Sequence, residues 1–209
     1  MILQSIQDHP IMYSVALGLV VLCIFAWSKA MKASRRRYAH RDAIIAELER
    51  EKALRKEFKF PTREQLENTP PARLIEGLCC QIQARLEKTD NMDAAFAALP
   101  EPARFVYALG YVAQDSRERL SEFFRKNGQP LTGVAMQAVD ELIGDEYAEL
   151  FRAQYEAFDE DNEAASLIES AIETSDAHFL NLLQQQGDEI YVQIKNYILS
   201  SFAVFTEIP

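Results

Sequence analysis

Carboxylate side chains dominate one stretch of this chain and are its best candidates for chemistry. Residues 140–176 contain 13 Asp and Glu residues against one basic residue, Arg152. Carboxylates at this density can ligate cations, transfer protons in pairs, or attract a basic macromolecule. The candidate partner-binding residues among them are Asp145, Glu146, Glu149, Glu156, Asp159, Glu160, Asp161, Glu163, Glu169, Glu173 and Asp176.

Three interpretations of the acidic stretch compete. The first is a solvated surface that keeps the protein soluble, which is the usual role of a charge run. The second is a calcium loop, because Asp159, Asp161 and Glu163 alternate, but Ala164 replaces the turn glycine and Ser170 replaces the closing glutamate. The third is recognition of a basic partner, because carboxylates one helical turn (~5.4 Å) apart approach the ~3.4 Å phosphate repeat of a nucleic-acid strand.

We expect the carboxylates to lie in rows along helices, because residues three and four positions apart share a helix face. Like charges in such rows repel one another and lower stability, a cost that interspersed lysines would avoid. This cost favours a binding role over a purely solubilising one. The two expected rows are Glu149, Glu156 and Glu160, and Glu169, Glu173 and Asp176.

Residues for other chemistry are few and poorly spaced. His9, His40 and His178 are widely separated, and the adjacent Cys79 and Cys80 fit a helix as small buried residues better than a disulfide or a metal site. The sequence contains no Gly-rich phosphate loop and no Gly-x-Ser-x-Gly motif. We therefore expect no enzyme activity, no metal and no cofactor, with a hydrolase built from scattered carboxylates as the alternative.

An uncharged apolar run near the N-terminus predicts where the acidic stretch is held. Residues 10–28 contain no charged side chain over 19 positions, and as a helix rising ~1.5 Å per residue they nearly span a ~30 Å hydrocarbon core. A buried core helix and a cleaved signal peptide are the alternatives, but a signal peptide carries its basic residues before the run. Here the basic residues follow it. Those expected to contact lipid headgroups are Lys29, Lys32, Arg35, Arg36, Arg37 and Arg41.

The distribution of charge predicts the orientation of the chain. Residues 1–60 hold 11 Lys and Arg against 6 Asp and Glu, whereas residues 61–209 hold 11 against 26. By the positive-inside rule the basic flank stays in the cytoplasm. We therefore expect a single-pass protein of the bacterial inner membrane. Residues 1–28 would form a short periplasmic N-terminus and a transmembrane helix, and the C-terminal domain would lie in the cytoplasm.

The segment after the apolar run predicts a basic juxtamembrane stalk helix over residues 29–60. Helix-forming residues dominate from Ser34 to Phe60, without Gly or Pro, and an i,i+4 pair joins Glu51 to Arg55. Pro61 ends this helix, and the four residues from Thr62 resemble a capping box. A narrow apolar stripe along the stalk consists of Ile44, Ile45, Leu48 and Leu54.

Residues 61–209 predict one acidic, all-α domain. Apolar residues recur near every 3.6 positions between helix breakers, and no alternating strand is found. About seven helices with short connections are expected. The breakers are Pro70-Pro71, Pro100, Pro102, Asn127-Gly128, Pro130, Gly144 and Gly187.

Part of this domain is similar to a known family. The pieces that carry the similarity are, in order, Leu99-Pro100, the helix with Phe105 to Val112, Phe123-Phe124, Asn127-Gly128, the helix from Ala135 to Ile143 ending at Gly144, and the acidic helix that follows. On these pieces, residues 99–198 resemble the bacterial helical domain family known from a DNA-mimic protein. The family's Asn-Gly-Gly-Phe-like turn is replaced here by residues 115–118. The resemblance implies an acidic module, able to dimerise, that binds a DNA-binding protein by presenting carboxylates in place of phosphates.

We therefore expect a membrane-anchored, non-catalytic binding module whose acidic helical face recognises a basic partner protein. A DNA-binding protein is the partner that the resemblance implies, and no direct binding to nucleic acid is expected. The alternative is a membrane-anchored scaffold subunit that assembles with itself, for example as a homodimer. Its contacts would come from the stalk stripe and from the apolar stretch Tyr197 to Phe205.

Overall fold

The computed structural model describes residues 41–158 and 169–207 of the 209-residue chain. All regular structure within these ranges is α-helical, which confirms the expected all-α class. None of the helices in these ranges is long and apolar enough to cross a membrane. Among the predictions for the N-terminal region, those that lie outside the described ranges concern the apolar run 10–28 and the basic residues Lys29, Lys32, Arg35, Arg36 and Arg37.

The helices follow one another with short connections, and most begin or end at the predicted prolines and glycines. The chain divides into two compact units, residues 1–51 and 52–209. The helices of the described ranges are α1 (residues 41–57), α2 (Arg63–Asn68), α3 (Pro71–Leu86), α4 (Met92–Ala97), α5 (Glu101–Asp115), α6 (Leu120–Lys126), α7 (Leu131–Leu142), α8 (Asp145–Ala157), α9 (Glu169–Ser200) and α10 (Phe202–Glu207).

The described part of the first unit is a solvated helical segment. Residues 41–50 are all exposed, and Ile44, Ile45 and Leu48 of the predicted stripe are 48, 45 and 59 % exposed. Good helix formers and the absence of Gly and Pro explain why this segment is helical without burial. The helix predicted for the stalk is present over residues 41–57 of the described range, and it ends three residues earlier than expected.

The second unit begins inside the predicted stalk. Leu54 and Phe58 are 2 and 0 % exposed, because both side chains enter the domain core. The ring of Phe58 lies over Gly77 of α3, where an added Cβ would come within 2.3 Å of the ring carbons. The domain boundary expected at Pro61 therefore moves to Lys52, since the last turns of α1 supply core side chains.

Two ion pairs fasten the same turns of α1 to α3. Arg55 donates two hydrogen bonds, of 2.6 and 2.9 Å, to the carboxylate of Glu87. Hydrogen bonds from Arg55 and from Gln83 hold the pKa of Glu87 below its usual range. One turn further, Arg73 donates to the Glu57 carboxylate at 2.7 Å. Both pairs are partly exposed, so screening by solvent keeps their contribution to stability small.

Helix α2 begins at the predicted cap. The backbone N–H of Gln65 donates to Thr62 Oγ1 at 3.2 Å, which confirms Thr62 as the N-cap residue. The side-chain amide of Gln65 donates to the backbone carbonyl of Glu57 at 3.2 Å. In a complete capping box this side chain would turn back to the cap residue, so here it ties α1 to α2 instead.

Helix α5 forms the centre of the second unit, and α3, α6 and α7 pack on it. Ala103, Val106 and Ala108 are fully buried. Their short side chains let the neighbouring helices approach α5 closely. Pro102 stands in the first turn of α5, where a backbone N–H would have no partner within the helix. The predicted proline boundary is therefore confirmed at this helix.

Helix α9 passes through Gly187 without a break, so the predicted boundary there is wrong. A glycine inside a helix costs about 1 kcal/mol relative to alanine. Burial of Ile190, Ile194 and Ile198 outweighs this cost, because each buried side chain contributes about 1.5–3 kcal/mol. Helix α9 packs on α3, α6 and α8 and connects the two ends of the unit's fold.

The far end of α9 also closes the end of α2. The ammonium group of Lys195 donates to the backbone carbonyls of Glu67 and Thr69, both at 2.7 Å. The last carbonyls of a helix lack partners within the helix and attract cations. Lys195 therefore satisfies two carbonyl groups that the short helix α2 leaves open.

The C-terminal stretch belongs to the core. Ile198 and Phe205 are fully buried, and the ring of Tyr197 stacks on that of Phe105 with centroids 6.2 Å apart. Ile198 and Phe205 are therefore not exposed for self-association. The scaffold alternative stays a prediction that would rest on the partly exposed side chains of this stretch.

Candidate functional site

Helix α8 carries four residues of the acidic stretch, Asp145, Glu146, Glu149 and Glu156, and all four are exposed. Gly144 precedes it with a φ of 125°, a left-handed conformation that glycine adopts without strain. Asp145 and Glu146 occupy the first turn, where negative charge interacts favourably with the helix dipole. Asp145, Glu149 and Glu156 follow at spacings of four and seven residues, so they lie on one face, and all three are exposed.

Aromatic packing on the opposite side of α8 determines which face points outward. Phe151 is buried, and its ring centroid lies 6.3, 5.6 and 6.3 Å from those of Phe123, Phe124 and Phe179. Tyr147, one turn earlier, meets Phe179 edge-on at 6.1 Å. Rotation of α8 would expose these rings, each of which contributes a few kcal/mol through burial. The outward direction of Asp145, Glu149 and Glu156 is therefore enforced by the core.

One basic residue, Arg152, lies among these carboxylates, and it forms an ion pair with another helix. Arg152 donates to Asp140 of α7 at 3.2 Å, and both side chains are more than half exposed. The structure pairs neither Asp145 nor Glu149 with a basic side chain of the described ranges. We call Asp145, Glu149 and Glu156 the α8 acidic row.

Asp176 is not part of an exposed row. It is 5 % exposed, and its carboxylate accepts hydrogen bonds from the backbone N–H and the hydroxyl of Ser121 at 2.8 and 2.6 Å. The side-chain amide of Gln154 lies 3.4 Å away. Ser121 stands in the first turn of α6, so Asp176 supplies negative charge at that helix N-terminus. Its predicted role in partner binding is corrected, because its oxygens are used inside the fold.

The other predicted residues fall into two groups. Glu173 is exposed on α9, and Glu146 lies 3.4 Å from His178 Nε2 in an exposed pair. Arg41, the described member of the lipid-headgroup set, lies at the start of α1 with its guanidinium 3.5 Å from Asp42. Outside the described ranges, or with side chains outside them, are Asp159, Glu160, Asp161, Glu163 and Glu169.

A shallow groove between α8 and α9 was missed by the sequence analysis. It encloses 440 Å³ and is open to solvent along its length. The alanines at 153 and 171 are a weak sequence signal for it, because small exposed residues on adjoining helix faces leave space between the helices. The groove is lined by Leu150, Ala153, Ala171, Thr174, Ser175 and His178.

The most perturbed titratable groups of the described ranges are tyrosines. Burial raises the pKa of Tyr107, whose hydroxyl donates to Gln83 Oε1 and lies 3.4 Å from the Tyr111 hydroxyl. Burial also raises the pKa of Tyr147 to about 12, and the nearby charge of Glu146 adds to this shift. None of these tyrosines lines the groove.

No family model matches this chain, and no curated protein or solved structure matches it. The similarity of residues 99–198 to the DNA-mimic family therefore stays a prediction based on the quoted pieces of sequence.

Proposed function

We propose that the chain is a non-catalytic binding protein whose α8 acidic row recognises a basic partner protein. The observation that carries the proposal is the outward presentation of Asp145, Glu149 and Glu156 by an aromatic-clamped helix. Exposed carboxylates aligned on one helix face repel one another and attract an external cation. A rigid helix fixes their spacing, which favours a partner with a complementary pattern of Lys and Arg.

The proposal extends to a membrane location. The uncharged run 10–28 and the basic residues after it support a single-pass anchor in a bacterial inner membrane, with the acidic domain in the cytoplasm. On this proposal the partner is held at the membrane surface. The predicted resemblance supports a DNA-binding protein as that partner, because such a protein presents cations at phosphate spacing.

The test is capture of partners by the full chain from detergent-solubilised membranes at about 50 mM and 1 M salt. Screening acts over ~10 Å or more at the low concentration and ~3 Å at the high one, so electrostatic capture should be lost at 1 M. Replacing Asp145 by Asn, and Glu149, Glu156 and Glu173 by Gln, should weaken capture strongly and flatten its salt dependence. The fold should hold or gain stability, because like-charge repulsion is relieved.

A matched control removes the same number of charges elsewhere on the surface. The exposed Glu64, Asp93, Glu118 and Asp188 serve this purpose as Gln or Asn variants. If net charge alone governs capture, both quadruple variants will weaken it equally, and recognition through the α8 acidic row is excluded. Capture that is equally strong at both salt concentrations and unchanged by either variant would exclude electrostatic recognition altogether.

Self-association is the second candidate function, and the exposed stripe of Ile44, Ile45 and Leu48 favours it. A chain that dimerises through this stripe would bury three large apolar side chains, worth about 1.5–3 kcal/mol each when fully buried. Replacing all three with Gln should then convert the detergent-solubilised dimer to a monomer in sedimentation velocity. An unchanged sedimentation coefficient would remove this candidate.

A further inference from the structure

The groove between α8 and α9 has an apolar floor that no described side chain of the domain fills. Leu150 and Ala153 line its α8 side, and Ala171, Thr174 and Ser175 line its α9 side. Ala153 and Ala171 are exposed. An alanine on each helix leaves room for an aliphatic side chain to reach between the helices, as in helix-in-groove recognition.

The charges around the groove determine the kind of occupant. Glu146 lies on its α8 side, one turn before Leu150, and the α8 acidic row begins on the adjoining face. The basic side chains of the two helices near the groove are Arg152, which pairs with Asp140, and His178, whose Nε2 lies 3.4 Å from Glu146. An acidic occupant would be repelled, whereas Lys or Arg beside an apolar edge meets opposite charge.

We propose that this groove receives the apolar edge of a basic amphipathic helix of the partner protein. Aliphatic side chains spaced i, i+3/i+4 and i+7 lie along the groove against Leu150, Ala153 and Ala171. The flanking Lys and Arg residues reach Glu146 and Glu149. This inference rests on the proposed function, since it names the class of partner that the α8 acidic row attracts. It adds an apolar contribution, which salt does not screen, to an electrostatic one.

The test uses the full chain in detergent micelles and two labelled synthetic peptides of identical composition. In the first peptide, Leu residues occupy one helix face and Lys residues the rest, whereas in the second the order is scrambled so that no face is apolar. Fluorescence anisotropy measures both affinities. The amphipathic peptide should bind at least about tenfold more tightly, the equivalent of one buried apolar side chain.

Filling the groove should remove this preference. In the Ala153→Trp variant the amphipathic peptide should bind no more tightly than the scrambled peptide. Ala171→Leu is a milder second variant, and circular dichroism melts confirm that both fold. Val192→Trp is the control, because Val192 is exposed on α9 and does not line the groove. It should leave the preference unchanged.

The outcomes separate this inference from the function on which it rests. Equal affinity of the two peptides for the unsubstituted chain, or a preference that survives in both folded groove variants, would overturn the groove proposal. If the groove proposal is overturned but removing the charges of Asp145, Glu149 and Glu156 weakens the binding of both peptides, electrostatic recognition stands without the groove. If charge removal affects neither peptide, both proposals fail. A dimer that dissociates only in Ala153→Trp would show that a second copy occupies the groove, which also overturns the proposal.

Discussion

Asp176 shows how burial decides what a carboxylate can do within an acidic stretch. It stands three residues after Glu173, and the sequence places both in one row. In the structure Glu173 is exposed, whereas Asp176 accepts two hydrogen bonds from Ser121 of α6. The sequence cannot distinguish them, because the buried direction of α9 depends on where α6 lies, and α6 is 55 residues away along the chain.

We predict that Asp176→Ala lowers the free energy of unfolding by about 2–4 kcal/mol, because the buried N–H and hydroxyl of Ser121 lose a charged acceptor. Glu173→Gln is the matched control and should change stability by less than about 0.5 kcal/mol. Urea denaturation followed by circular dichroism measures both. Equal effects of the two substitutions would contradict the assignment of Asp176 to the core.

At Tyr147 we predict that removing a buried polar group does not lower the free energy of unfolding. Its ring is buried between α8 and α9, and its hydroxyl has no hydrogen-bond partner within the described structure. Tyr147→Phe removes a buried polar group that gains nothing from the fold, so stability should stay the same or rise by up to about 1 kcal/mol. Thermal melts at pH 7 measure this change, and Tyr155→Phe provides the contrast, because the Tyr155 hydroxyl accepts a hydrogen bond from the side-chain amide of Gln129. A loss above about 1 kcal/mol would reveal a partner for the hydroxyl.

The pH dependence of the same variant follows from the sign of the pKa shift. Burial raises the pKa of Tyr147 to about 12, whereas an unfolded tyrosine titrates near ~10. The unfolded state therefore loses this proton first, and the stability contributed by the neutral hydroxyl declines as pH rises above about 10. Tyr147→Phe should lose less stability than the unsubstituted chain between about pH 10 and 12. Parallel losses would contradict the shift.

At the scale of helices, local chemistry predicts ends better than it predicts continuity. Thr62 and Pro102 act within one helical turn, and both predicted starts are confirmed. Gly187 also acts locally, but α9 continues through it because distant helices bury its isoleucines. The α8–α9 groove depends on the spacing between two packed helices, and the alanines at 153 and 171 are only a weak local signal for it, which explains why the sequence did not reveal it.

The contact of α1 with α3 gives a prediction at this scale. Gly77→Ala gains about 1 kcal/mol of helix propensity, but its methyl group would overlap the buried ring of Phe58. We expect a net loss of about 1–2 kcal/mol from overpacking. Gly128→Ala is the control, because nothing lies within 4 Å of its added Cβ. Phe58→Leu should cost less stability in the Gly77→Ala background than alone, and additive effects would show that the two sites do not touch.

At the scale of the whole molecule, the domain begins before the proline that marks it in the sequence. Pro61 lies just after the end of α1, but the end of a helix does not mark where the core of a domain begins. Leu54 is part of the apolar stripe of the predicted stalk, and Phe58 follows it one turn later. Nothing in the local sequence indicates that these two side chains are buried while Ile44 stays exposed. Packing against α3 makes that difference.

We predict that a soluble fragment of residues 52–209 folds cooperatively and that one of residues 61–209 does not. The shorter fragment lacks the burial of Leu54 and Phe58, worth roughly 3–6 kcal/mol together, against a typical total of ~5–15 kcal/mol. Circular dichroism melts compare the two fragments. The Leu54→Ala, Phe58→Ala double variant of the longer fragment should reproduce the loss, and an equally stable shorter fragment would place the boundary back at Pro61.

The bond from Lys195 to the carbonyl of Glu67 spans 128 residues of chain. Ribosomes add ~5–20 residues per second, so roughly 6–25 s pass between the emergence of α2 and that of the lysine that completes it. During this interval α3 has no α9 to cover it, and the part of its surface that α9 later buries remains open to chaperones, proteases and neighbouring nascent chains. The first helices of the domain are therefore fully covered only after the last helices of the chain have been synthesised.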